Sequence, residues 1–151
     1  MGLGKGANLT KIMAFIIKTD LYRYLEQSTI DQLTDSTDSI VTEAIEDAED
    51  RIREKISPRY NLTTEYAKTG TNRHRGLMKC AINLAIFNLF QRVHIDVLPE
   101  GREFAYQEAE KWLDDVFKGR LNVTLTTNDE AKEEGWPLRW GSETKKGTQS
   151  F

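Results

Sequence analysis

The sequence predicts a mainly α-helical fold, a small helical bundle of about three long helices preceded by short N-terminal helices and followed by a C-terminal strand and an extended tail. Three observations carry this. Apolar residues recur on a 3.6-residue period through residues 40–56, residues 77–90 are apolar almost all round, and residues 105–116 repeat the first pattern in shorter form. With 151 residues, 38% hydrophobic and 30% charged, the chain has material for one domain with a single core under a heavily solvated surface. It divides into a flexible arm at 1–12, the bundle at 13–120, and a strand and tail at 121–151.

Each element has a local reason. The glycine-rich start, Gly2-Leu3-Gly4-Lys5-Gly6, has an arm's composition. It lacks the apolar stretch of a signal peptide, the Ser or Thr of a myristoylation signal, and the Gly-Lys-Ser/Thr of a phosphate loop. Met13 to Ile17 reads as a short strand or an extended lead-in. Thr19 and Asp20 offer capping oxygens for a short helix from Leu21 to Glu26, and Ser28 to Leu33 can form a second turn. Thr34 to Ser39 is a loop rich in capping residues.

The first long helix carries Ile40, Ala44, Ile45, Ala48, Ile52 and Ile56 on one stripe. Its other face holds Glu43, Glu46, Asp47, Glu49 and Asp50, then Arg51, Arg53 and Lys55, an order that suits the helix dipole. Pro58 stops it. Residues 61–72 show no apolar period and are expected as a loop, mobile or used as a contact surface. Asn72 is a candidate N-cap for the second long helix, whose all-round apolarity marks the centre of the bundle; Cys80 belongs to its core. Its bases Arg73, Arg75, Lys79 and Arg92 are expected to pair at their edges with the acids of the preceding helix. Pro99 suits the first position of the last helix, with the stripe Ala105, Ala109, Trp112, Leu113 and Val116. Gly119 suits the left-handed residue that closes it. Leu121, Val123 and Leu125 then alternate with Asn122, Thr124 and Thr126, the period of a two-faced strand.

No constellation for catalysis is present, and no enzyme is expected. His74 and His94 stand twenty residues apart, about 30 Å along one helix, too far to share a metal or a proton. The sequence has no Cys pair, HExxH or GxSxG. The carboxylates of residues 43–54 alternate with bases and read as a solvated face. No cofactor or metal is called for. Cys80 is the single cysteine, which fits a reducing compartment, and no apolar run reaches the length of a membrane span. A net charge of −3 excludes a surface that is basic throughout, although Arg73, Arg75, Lys79 and Arg92 keep open a DNA-binding packaging or regulatory module.

The order of features carries a resemblance. Thr19-Asp20-Leu21 is followed by Ile30-Asp31-Gln32-Leu33-Thr34-Asp35, and the first stripe ends Ile52-x-x-x-Ile56-Ser57-Pro58-Arg59-Tyr60-Asn61-Leu62. The buried helix Ala81 to Phe90 comes next, and Ala109 to Val116 then leads into Lys118-Gly119-Arg120-Leu121. Over residues 15 to 125 this set resembles the head–tail connector, or adaptor, proteins of tailed bacteriophages, in the form found in Mu-like prophages. The resemblance implies a structural virion protein of the neck, made in the host bacterial cytoplasm. About a dozen identical subunits would form a ring beneath the portal protein. That ring would extend the DNA channel toward a tail-proximal neck or stopper protein, without specific DNA binding and without a membrane.

Under that resemblance the unpartnered strand has two possible mates. Leu121, Val123 and Leu125 could join a neighbouring subunit or the portal by β-augmentation, or pair with Phe15-Ile16-Ile17 of the same chain. Trp136, Leu138, Arg139 and Trp140, in a polar stretch too short for its own core, read either as interface anchors or as a cover folded back on the bundle. Phe151 is a further candidate anchor. Packaged DNA must slide, so an acidic channel wall is sensible, with Glu43 to Asp50 the candidate lining.

Overall fold

The computed structural model describes residues 15–93 and 98–128. Among them are six α-helices: α1 (Lys18–Leu21), α2 (Gln27–Thr34), α3 (Asp38–Ile56), α4 (Leu62–Tyr66), α5 (Arg75–Arg92) and α6 (Arg102–Phe117), with a 3₁₀ turn at Gly70–Asn72. The fold is the mainly α bundle that the apolar periods predict.

The stripes decide the packing. The α3 stripe faces α5, and Val41, Ala44, Ile45, Ala48, Ile52 and Ile56 are buried. Along α5, Leu77, Ala81, Ile82, Leu84, Ala85, Ile86 and Leu89 are nearly or wholly inaccessible, so the all-round apolar helix is the central one. Cys80 is buried with them, and its Sγ lies 3.6 Å from the Ala109 carbonyl oxygen. Helix α6 contributes Ala109, Leu113 and Val116, and Tyr106 stacks on Phe87 of α5 at 3.9 Å between ring centroids.

Several local expectations are corrected. The first short helix is Lys18–Leu21 rather than 21–26, because Asp20 reaches back from inside it to accept the Ile17 N–H at 2.9 Å. Residues 61–72 are not a plain loop. Asn61 caps α4 by accepting the Thr64 N–H, and α4 buries Leu62, Glu65 and Tyr66. Five residues are too few to show a helical period. The N-cap of α5 is His74, whose Nδ1 accepts the Leu77 N–H at 3.1 Å, and Asn72 closes the 3₁₀ turn instead. Pro99 does not open α6; Gly101 stands at its N-cap with φ 87°, and the helix begins at Arg102. Gly119 does adopt the expected left-handed conformation, φ 75°. Its missing side chain also leaves room for Arg59, which donates to the Phe117 carbonyl at 2.8 Å and so satisfies an open end of α6.

The strand expected at residues 121–126 is absent. The segment is an extended strap that ends in one antiparallel bridge between Tyr60 and Thr127, with no strand among the described residues. Asn61 N–H donates to the Thr126 carbonyl at 2.8 Å and Asn128 N–H to the Arg59 carbonyl at 3.0 Å. The mate within the chain is therefore the exit of α3 rather than Phe15-Ile16-Ile17. Only three residues of that exit run beside the strap, too short for a ladder.

Two buried glutamates hold the two extended ends of the bundle. Glu49 Oε2 accepts the N–H groups of Phe15 and Ile16 at 3.1 and 3.0 Å. Phe15 stacks on Tyr66, whose hydroxyl donates to the Glu49 carbonyl. Glu65, wholly inaccessible, accepts the Thr126 N–H and hydroxyl at 2.7 Å each and an ion pair from Lys68 at 3.0 Å. Burial raises the Glu49 carboxyl above its ordinary range, the two backbone donors only partly offsetting it. At Glu65 burial also opposes the charge, but Thr126 and Lys68 outweigh it and hold the carboxyl low. Glu49, read in sequence as part of the solvated face, is a core anchor.

Candidate interaction surface

The face of α5 turned away from α3 carries Arg75 and Lys79, one turn apart and both exposed. Two recesses meet there. One is a cleft of about 570 Å³ between α5, the residues after α1 and the 3₁₀ turn, lined by Arg23, Tyr24, Arg73, Arg75, Lys79 and Ile82. The other is a groove of about 590 Å³ between α5 and α6, lined by Lys79, Phe104, Ala105, Trp112 and Leu121. Gly76 and Lys79 border both, so the surface is continuous.

The groove is apolar at its rim. Phe104 is 65% exposed and Leu121 38%, large side chains left in water beside the half-buried Trp112. Gly76 allows Trp112 to lie against the first turn of α5, since a Cβ there would stand 3.1 Å from both Trp112 Cζ2 and His74 Cε1. His74 is partly buried beneath it, which lowers its pKa and suits the neutral ring that caps α5.

The cleft is basic. Arg73 is its fixed wall, donating to Asp20 at 2.8 Å and to the Phe15 carbonyl at 2.9 Å. Burial opposes the Asp20 charge, but the Arg73 guanidinium and the Ile17 N–H prevail and hold its carboxyl below the ordinary range. Arg23, Arg75 and Lys79 make no ion pair among the described residues. The expected pairing of these bases with the acids of α3 is not made. Helix α3 sends its own bases to α6, Arg51 to Glu110 at 2.8 Å and Lys55 to Asp114 at 3.5 Å. The two helices meet through apolar stripes, so their charged faces point apart.

The sequence-predicted contact residues fall into four groups. Leu121 is exposed at the groove, Val123 is half-buried against the core, and Leu125, 5% exposed, is part of that core. Leu125 is thus packed inside its own chain, and the three leucine and valine side chains do not share one exposure. Trp136, Leu138, Arg139, Trp140 and Phe151 lie outside the described residues, as do His94 and the arm at 1–12. Sequence reasoning missed Phe104, which sits off the α6 stripe and gave no periodic signal, and Arg23, which no charge run marked. No group of three or more His, Cys, Asp or Glu able to hold a metal occurs among the described residues, and no helix there is long and apolar enough to cross a membrane.

Residues 15–138 match the family model described as bacteriophage Mu, Gp36. The chain belongs to that family. It is a phage-related protein, and the match runs past the resemblance seen in residues 15–125 to include Trp136 and Leu138. The search of curated proteins returned no match.

Proposed function

We infer that the protein is a head–tail connector: a structural component of the phage neck that forms a ring beneath the portal protein and carries the DNA channel toward the tail. The observation that carries this is the exposed apolar groove of Phe104, Trp112 and Leu121 on a helical bundle of a phage Mu family. Contiguous exposed apolar side chains on a small bundle mark a protein contact, and this groove is bordered by Leu121, where the chain leaves α6 for the strap and the tail.

In this reading the chain acts as an adaptor, not an enzyme. The bundle is the rigid body of each subunit. Leu121 and the tail residues Trp136, Leu138, Arg139, Trp140 and Phe151 engage the portal or the next subunit, where large aromatic groups and Arg supply much of an interface's binding energy. A tail-proximal neck protein docks on the far side, and packaged DNA passes through without specific contacts. The alternative, a DNA-binding packaging or regulatory module, is favoured by the basic cleft alone.

The test is native mass spectrometry of the chain mixed with the portal protein of the same phage. A discrete complex with many copies per portal is expected. No complex at any mixing ratio would overturn the connector reading, and a salt-sensitive mobility shift of duplex DNA would favour the alternative.

A further inference from the structure

The acids of α3 and the bases around α5 form opposite and unmatched halves of one contact. Glu43, Glu46, Asp47 and Asp50 are all exposed and stand at i, i+3, i+4 and i+7, one stripe about 10 Å long on the solvent side of α3. Glu43, Glu46 and Asp47 take part in no ion pair among the described residues, and Asp50 has only exposed Arg53 at 3.5 Å. On another side of the molecule the cleft presents Arg23, Arg75 and Lys79, equally without ion pairs there. Its walls are set by the Arg73–Asp20 tie, 12% and 7% exposed, so the free bases flank a fixed recess. Its floor includes buried Met78 and Ile82, and Tyr24 stands half-exposed at its edge. Because α3 and α5 pack through their apolar sides, neither charged face can neutralise the other within one chain.

We propose that the basic cleft of one copy receives the acidic α3 stripe of a second copy. The surfaces differ on the two partners, so the contact is heterologous, and a heterologous contact closes into a ring when its rotation allows. Stripe and cleft are opposite in sign, and each spans about two helical turns or less. The proposal names the subunit contact of the connector reading and rests on it for the ring. The pairing of copies can be measured without a portal. A DNA backbone would also suit the bases, but it leaves the acid stripe unexplained in a chain whose net charge is −3.

The experiment mixes nitrogen-14 and nitrogen-15 labelled full chains at high concentration and low salt, then joins touching carboxylates and lysines with a zero-length carbodiimide. Mixed-isotope links from Lys79 to Glu43, Glu46 or Asp47 are expected, falling as salt rises. The variant Arg75→Glu with Lys79→Glu, and separately Glu43→Lys with Glu46→Lys, should each self-associate about tenfold less or worse, because like charges then face each other. An equal mixture of the two variants should associate again, since each presents the complement of the other. Links confined to single-isotope chains, no links in the wild type alone or with the portal, or no recovery in the mixture would each overturn the proposal. So would acids left free for the channel wall, or duplex DNA binding lost on reversal of Arg75 and Lys79. Should a variant fail to fold, wild-type link mapping still decides. Portal binding by the charge-reversed variants at full copy number would refute this contact and leave the connector reading standing; no portal complex for the wild type would refute that reading instead.

Discussion

Replacing Glu65 with Ala should release the C-terminal strap while leaving the bundle folded. Glu65 is inaccessible and accepts two hydrogen bonds from Thr126 at 2.7 Å. Hydrogen bonds to an ionised group contribute about 1.5–3 kcal/mol each, and removing the carboxylate also removes the cost of burying it. The Lys68 pair, 35% exposed at the lysine, adds about 0.5 kcal/mol after solvent screening. The net loss is then about 2–4 kcal/mol in strap attachment. At about 1.4 kcal/mol per tenfold, that is an increase of roughly 30- to 700-fold in amide exchange where opening is local. Amide exchange read by NMR should show it at Asn61, Thr126 and Asn128, whose N–H groups bond across the strap. Amides at the centre of α5 should change far less. Change below about threefold at Thr126 and Asn128 would refute the argument that Glu65 holds the strap. The carboxyl is held below its unfolded value, so its contribution is full above the unfolded pKa and is lost as pH falls through the folded one. Acid should therefore release the wild-type strap at those same amides.

Leu125→Ala should cost about 2–4 kcal/mol in urea denaturation, because the side chain is in the core, whereas Leu121→Ala should cost about 0.5 kcal/mol or less and lower portal binding instead. Equal stability losses would contradict the different burial of the two leucines. Arg73→Leu should destabilise the fold by about 3 kcal/mol at pH 7 by stranding the Asp20 carboxylate. Asp20's folded pKa lies below its unfolded one, so the wild-type advantage is lost as pH falls through the folded value, and denaturation in acid should show the gap between wild type and variant narrowing. Glu49→Gln keeps an acceptor for Phe15 and Ile16 but removes a buried charge. It should be at least as stable as wild type at pH 7. Because the folded Glu49 carboxyl is raised, protonation favours the folded state as pH drops below that pKa toward the unfolded one, and the difference should close there; a loss of more than about 1 kcal/mol at pH 7 would show that the charge itself is needed.

The long helices were legible because their cause is local. A stripe such as Ala44, Ala48, Ile52 and Ile56 is a property of neighbouring residues on a fixed period, and so is the all-round apolarity of α5. Gly119 was legible for the same reason, since a left-handed residue at a helix end depends on the backbone nearby. The groove is half legible: Leu121 and Trp112 stand out as apolar, but nothing in the segment around Phe104 says that α5 lies beside it. The alternation at 121–125 signals an extended segment but does not make it a strand, because a strand requires a mate and the mate is chosen at a distance. Glu49 and Glu65 mark the limit most clearly. In sequence each is one acid among polar neighbours, and what separates them from Glu46 or Glu43 is that Phe15, Ile16 and Thr126 arrive with unsatisfied donors. The sequence by itself determined which three long segments are helical and which face of each is apolar. Only the tertiary structure decided which charges are buried as anchors and which are left outward and unpaired, because burial and pairing depend on residues brought together from far apart in the chain.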